Sequence, residues 1–153
     1  ESLHSVVRRD SNITLRIKIH PGSDIKSIVK FISDLGFDSC MTEAPVYDAI
    51  LASSVVLTSA SSAAVEAVLL GRPTLLLSDC MGPTKNPIPT GIPKDLYAVC
   101  YDSSDIEYNL KHFMDSCLDT LELRAEAASQ CRDNYVAIYT PDASRELLGL
   151  DVE

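Results

Sequence analysis

The chain has 153 residues, 46% hydrophobic and 23% charged, with 13 Lys and Arg against 22 Asp and Glu for a formal net charge of −9. That length and composition exclude a disordered chain and suit one domain, residues 1–153, with enough sequence to bury a core. The acidic balance excludes a general nucleic-acid binder, which needs a basic face to displace counterions, and no apolar run approaches the roughly 20 residues of a membrane helix.

Ile13–Ile19 alternates apolar Ile13, Leu15, Ile17 and Ile19 with polar Thr14, Arg16 and Lys18, which predicts a strand with one buried face. His20, Pro21 and Gly22 end it in a turn. Ser23 or Asp24 caps a helix whose apolar face is Ile25, Ile28, Val29, Ile32 and Leu35, and Gly36 terminates it. A short strand is expected near Ser39–Thr42, then a short helix from Pro45 through Leu51. Val55–Thr58 reads as a buried strand, Ser59–Ser62 as a tight turn of small residues, and Ala63–Leu70 as a helix stopped by Gly71. Pro73 opens a strand at Thr74–Leu77. Asp79–Asp95 holds four of the eight prolines and reads as a long binding loop or lid. Leu96–Tyr101 is the last strand, Ser104–Glu107 a capping box, and helices follow to about Ile138, with a short one at Ala143–Leu148 beyond Pro141. Strands alternating with helices predict the α/β class: a Rossmann-like parallel sheet of about five strands in the order 2-1-3-4-5, with helices on both faces.

Five cysteines, Cys40, Cys80, Cys100, Cys117 and Cys131, form no CxxC pair. They make a poor disulfide framework and a poor zinc site, and read as small buried apolar residues in a reducing cytosol. Residues 1–30 carry six basic and three acidic side chains, whereas 12 of the 22 acids lie beyond residue 100. Glu1–Asp10 lacks the apolar centre of a secretory signal.

The most informative stretch is Val55–Leu77, where a strand runs through Ser59, Ala60, Ser61 and Ser62 into a helix. In open α/β sheets ligands bind at the carboxyl ends of strands, and a helix N-terminus there offers unpaired N–H groups to a phosphate. Small residues let the phosphate approach and the hydroxyls add donors, without GxGxxG or GxxxxGK[ST], neither of which occurs. Ser61 or Ser62 is also a natural helix cap, but a cap explains one serine rather than three within four residues. Glu66 lies one turn deeper on the face of Ser62, where it would accept hydrogen bonds from a ribose diol or form a salt bridge with Arg72 or Lys18. His20, at a strand end, can donate to a phosphate or act as acid or base. No His, Cys and carboxylate cluster has metal-ligand spacing, so no metal or other cofactor is expected, and there is no GxSxG elbow.

KIHP (Lys18–Pro21) and TSASSAAVEAVLLGRPTLLL (Thr58–Leu77) together resemble the C-terminal half of GT-B glycosyltransferases. The likeness is to the group with "HP" and "SS" motifs that uses cytidine-nucleotide donors: bacterial sialyltransferases and polysialyltransferases, capsule Kdo transferases and CDP-glycerol glycerophosphotransferases. The resemblance implies that His20, Pro21, Ser61 and Ser62 meet the donor nucleotide and its phosphate, that Glu66 holds the ribose, and that His20 is the catalytic residue; Ser59 joins the expected phosphate site as a further hydroxyl of the serine turn. Ser59 and Ala60 stand where the glycerophosphotransferase block carries Asp and Tyr.

The function so implied is the nucleotide-sugar-binding lobe of a glycosyltransferase for surface polysaccharide or glycan synthesis, with a CMP- or CDP-linked donor. Its partners would be that donor and a glycan acceptor held by an N-terminal lobe outside this sequence, and the isolated lobe would turn over little. It would lie in the cytoplasm, peripheral to the inner face of a membrane through its parent protein. An apolar strand edge left unpaired would support a homodimer. Two other expectations stand beside it: a lobe like that of UDP-N-acetylglucosamine 2-epimerase, and a non-catalytic regulatory domain that keeps the fold.

Overall fold

A computed structural model describes residues 13–78, 86–115 and 118–135. Its centre is a parallel sheet of three strands, β1 (Val56–Thr58), β2 (Thr74–Leu77) and β3 (Tyr97–Cys100), in that spatial order. The order and direction are those expected for the last three strands of the sequence. Parallel strands need crossovers, and α3 (Ser62–Leu69) supplies the one between β1 and β2. The remaining helices are α1 (Ile25–Asp34), α2 (Val46–Leu51), α4 (Ser103–Met114) and α5 (Leu118–Tyr135).

Alternation along β2 sends its side chains to two cores. Leu76 packs with Ala64 and Val68 of α3, Ala128 of α5, and Leu96 and Tyr97. Leu75 packs with Cys100 and with Phe113 of α4 on the opposite face. Helices therefore cover both faces, and β2, buried at Thr74, Leu75 and Leu76, is apolar because it is central.

The prolines between β2 and β3 do not belong to a free lid over the described part, Asn86–Asp95. Ile88 and Ile92 are buried against Leu76, Leu96 and Ala64, so these two isoleucines, four apart, anchor the loop in the core. A 3₁₀ turn at Lys94–Leu96 then delivers β3. Gly71, at φ +70°, ends α3 in the left-handed region, as its position predicts. Its missing Cβ leaves room for α5, whose Ala125 Cα would lie 3.3 Å from such an atom.

The first two expected strands meet in a single parallel bridge, Ile17 with Met41. Ile17 N–H donates to Cys40 C=O at 2.7 Å and Thr42 N–H to Ile17 C=O at 2.9 Å. Ser39 and Cys40 lie in a 3₁₀ turn at Asp38–Cys40 rather than in a strand. Among the described residues no backbone hydrogen bond joins Ile13–Ile19 to β1. The expected helix at Ala143–Leu148 and its breaker Pro141 lie outside the described residues, as do Cys80 and Cys117.

Candidate functional site

Three chain segments leave the sheet at the carboxyl ends of its strands: Ser59–Ser61 after β1, Ser78 after β2 and Tyr101 after β3. Of these residues Ala60, Ser78 and Tyr101, together with Asn86 and Pro87, line a cleft of about 170 Å³. Tyr101 stands 60% exposed at its rim, and Asn86 is fixed by accepting a hydrogen bond at Oδ1 from Ile88 N–H at 2.9 Å. Ligand cavities for whole small molecules run to about 300–1,000 Å³. This cleft is therefore the size of one part of such a ligand, and it lies beside the serine turn.

The turn is built around Ser61. Its backbone is extended, at φ −137° and ψ 163°, which makes it the N-cap of α3. Ser61 Oγ accepts from Ala63 N–H at 3.2 Å and lies 3.3 Å from Thr58 Oγ1, while Ala64 N–H donates to Ser61 C=O at 3.1 Å. Ser61 is thus a cap, as the simpler reading of the sequence has it. A hydroxyl holds one proton and two lone pairs, so when Thr58 donates to Ser61 the Ser61 proton remains for a ligand. Ser59 and Ser62 are exposed, and Ser62 is the first residue of the helix, where the dipole is positive.

Glu66 is exposed on α3, one turn from Ser62. Neither expected salt-bridge partner reaches it among the described contacts. Arg72 donates from Nη2 to Leu51 C=O at 2.8 Å, and Lys18 donates from Nζ to Glu43 C=O at 3.1 Å. The Glu66 carboxylate is left facing solvent beside the helix start.

His20 is exposed in its turn, next to exposed Pro21. Gly22 N–H donates to His20 Nδ1 at 3.0 Å, and Ser23 N–H donates to His20 C=O at 3.0 Å. Nδ1 is therefore the acceptor nitrogen, and a neutral ring carries its proton on Nε2, pointing outward as a donor. The structure brings Ser59, Ser61, Ser62 and Glu66 together through one turn and one helix. It does not join His20 or Pro21 to them by any described contact.

Ser78, Asn86 and Tyr101 were not singled out from the sequence. The signal was present, since Ser78 and Tyr101 each directly follow a strand of a parallel sheet, the position at which such folds bind ligands. Cys100 at the end of β3 is no candidate nucleophile, because burial first, and then the charge of Asp105, push its thiol up to about 11. Among the described residues no group of three or more His, Cys, Asp or Glu could hold a metal ion, and no helix is long and apolar enough to cross a membrane. Comparison with family models, with curated proteins and with solved structures finds no significant match to the chain.

Proposed function

We propose that the chain is the donor-nucleotide-binding lobe of a GT-B-type glycosyltransferase that takes a CMP- or CDP-linked sugar, with the acceptor held by another lobe. In this reading the segments around Ile17 and Met41 join β1, β2 and β3 in one Rossmann-like sheet. The lobe works at the cytoplasmic face of the membrane, reached through its parent protein. The observation that carries it is the serine turn, which runs from the carboxyl end of β1 into the N-terminus of α3 beside the cleft of Ser78, Asn86 and Tyr101.

The donor phosphate sits on the turn, where the Ser59 and Ser62 hydroxyls and the dipole of α3 meet it. Ser61 holds the turn in shape and offers its remaining proton. Glu66 accepts from the ribose diol, and the small cleft takes another part of the donor. As the bond to the sugar breaks, charge builds on the departing phosphate. Donors already aimed at it lower that barrier without reorganising. His20 adds its Nε2 proton as a further donor. The reading requires no metal.

Titration of the labelled chain with CMP, followed by amide shifts, tests this. Shifts centred on residues 59–63 and 101, saturating at millimolar CMP, are expected. Ser59 and Ser62 are exposed, so the double variant Ser59→Ala/Ser62→Ala should weaken CMP about 10-fold with an unchanged melting temperature, the worth of a hydrogen bond to a charged group. Ser61→Ala is a poorer probe because it also removes the helix cap. Full affinity in the double variant, or no shifts at any CMP concentration, would rule the reading out.

A further inference from the structure

The carboxyl-end cleft has a chemistry of its own, distinct from that of the serine turn. Leu77, Pro87 and Val99 give it an apolar wall, and Ser78, Asn86 and Tyr101 bring its polar groups. Leu77 is 37% exposed, a large apolar side chain left at this surface, and Pro87 and Val99 are half-buried. Ser78 N–H donates to Cys100 C=O at 2.9 Å and extends the pairing of β2 with β3, so the hydroxyl is what Ser78 adds to the lining. Asn86 is oriented by its bond from Ile88 N–H. Only an oxygen can accept there, so Nδ2 carries the free N–H donors of the amide. The cleft therefore presents an oriented amide donor beside an apolar wall.

Which part of a donor belongs here follows from the nucleotide-binding reading, on which this inference rests. In that reading the nucleoside lies along α3, where Glu66 meets the ribose, and Glu66 does not line the cleft. The cleft instead meets the turn at Ala60, ahead of Ser61 and Ser62. The phosphate on the turn thus has the nucleoside on one side and the cleft on the other, which leaves the cleft to the sugar. A volume of about 170 Å³ takes one edge of a sugar with its substituent rather than a whole ligand. A plain hydroxyl would use the Asn86 donor and leave the apolar wall facing water. A carboxylate would press its charge against that wall, away from water. An acetamido group matches both features, since it carries a carbonyl acceptor and a methyl group together.

We propose that the cleft takes the acetamido group of an N-acetylated sugar, with Asn86 as the residue that selects it. The carbonyl oxygen accepts from Asn86 Nδ2, the acetamido N–H donates to Ser78 Oγ, and the methyl group covers Leu77 and Val99. Asn86 then sets specificity for the sugar and takes no part in breaking the bond to phosphate. A sugar with a hydroxyl at the same carbon forfeits the methyl contact and the carbonyl acceptor, and so binds less tightly.

Amide-shift titration of the chain with N-acetylglucosamine 1-phosphate and with glucose 1-phosphate tests it, since the two probes differ only in that group. The acetamido sugar should bind about 10-fold more tightly, as expected for a hydrogen bond and a buried methyl group, and should shift the Asn86 side-chain amide, Ser78 and Tyr101. Asn86→Asp keeps an oxygen for Ile88 N–H and loses the donor. Its added charge weakens both phosphates alike, so the ratio of affinities is the quantity to read. A carboxylate facing the acetamido carbonyl offers acceptors only, and the ratio should fall to near parity with an unchanged melting temperature. Equal affinity for the two sugars, or no shifts from either, in a parent chain that still binds CMP would overturn the inference and leave the nucleotide reading standing. A preference that survives in Asn86→Asp would overturn it too, by taking Asn86 out of the role. Silence from CMP and from both sugar phosphates would fell the nucleotide reading and the sugar subsite with it.

Discussion

His20 depends on a single backbone donor two residues on. The Gly22 amide occupies Nδ1 and so decides which nitrogen of the imidazole is left to meet a ligand. A Cβ built on Gly22 would lie 3.3 Å from both Nδ1 and Cε1 of that ring. Gly22 is not among the residues with positive φ, so alanine carries no backbone strain there and its effect is confined to the ring. In Gly22→Ala the imidazole should turn away and lose the bond. Ring ¹⁵N shifts should then move from the Nε2–H tautomer toward a mixture, and CMP should weaken several-fold with an unchanged melting temperature. Ring shifts identical to those of the parent would show that the glycine does not position His20. His20→Ala alone cannot make that distinction, because it deletes the group and its orientation together.

At the scale of elements, side-chain caps set three helix starts. Asp24 caps α1, accepting from Ser27 N–H and Ser27 Oγ–H, and the hydroxyl bond leads in holding its carboxyl below the usual range. Ser61 caps α3. Asp102 caps α4, accepting from Ser104 N–H at 2.8 Å and Asp105 N–H at 2.9 Å, while Asp105 Oδ2 accepts from Tyr101 N–H at 2.9 Å. The cap expected at Ser104 and Glu107 is therefore carried by Asp102, with Asp105 reaching back to the Tyr101 amide. The sequence offers two such registers, two residues apart, and the one that lets β3 end one residue before Tyr101 is used. Asp102→Ala should cost about 1 kcal/mol in urea unfolding and speed exchange in the first turn of α4, whereas Glu107→Ala should cost little. The reverse ranking would return the cap to the position expected from sequence. Elements with a strong local signal were legible in this way: Asp24, Gly36 and Gly71 mark helix ends whatever surrounds them. The 3₁₀ turn at Asp38–Cys40, where a strand is expected, and the core role of Ile88 and Ile92 were not. Pairing of Met41 depends on a partner 24 residues away, and a proline-rich stretch hides two buried isoleucines until the β2–α3 surface they cover is known. The candidate site divides likewise. The serine turn is contiguous and readable, while Ser78, Asn86 and Tyr101 converge only through strand order.

For the whole molecule, the question is what holds α5 against the sheet, since that helix closes the core opposite α4. The approach runs through Gly71, where α3 ends and α5 passes close to the backbone. Two effects are combined in Gly71→Ala: the left-handed angle, costing a residue with a Cβ roughly 1–2 kcal/mol, and a forced contact with Ala125 Cα at 3.3 Å. Gly36 separates them. It has φ +73° at the exposed end of α1, so Gly36→Ala reports the angle without the packed helix. Overpacking costs a further ~1–3 kcal/mol, because a helix backbone cannot yield as a side-chain tip can. Gly71→Ala should thus exceed Gly36→Ala by that amount in urea unfolding, with exchange quickening along α5 around Ala128. If the two variants lose equal stability, there is slack enough at Gly71 to admit a methyl group, and α5 is held by its other contacts, Ala128 in the apolar core and Arg124 over the Phe113 ring.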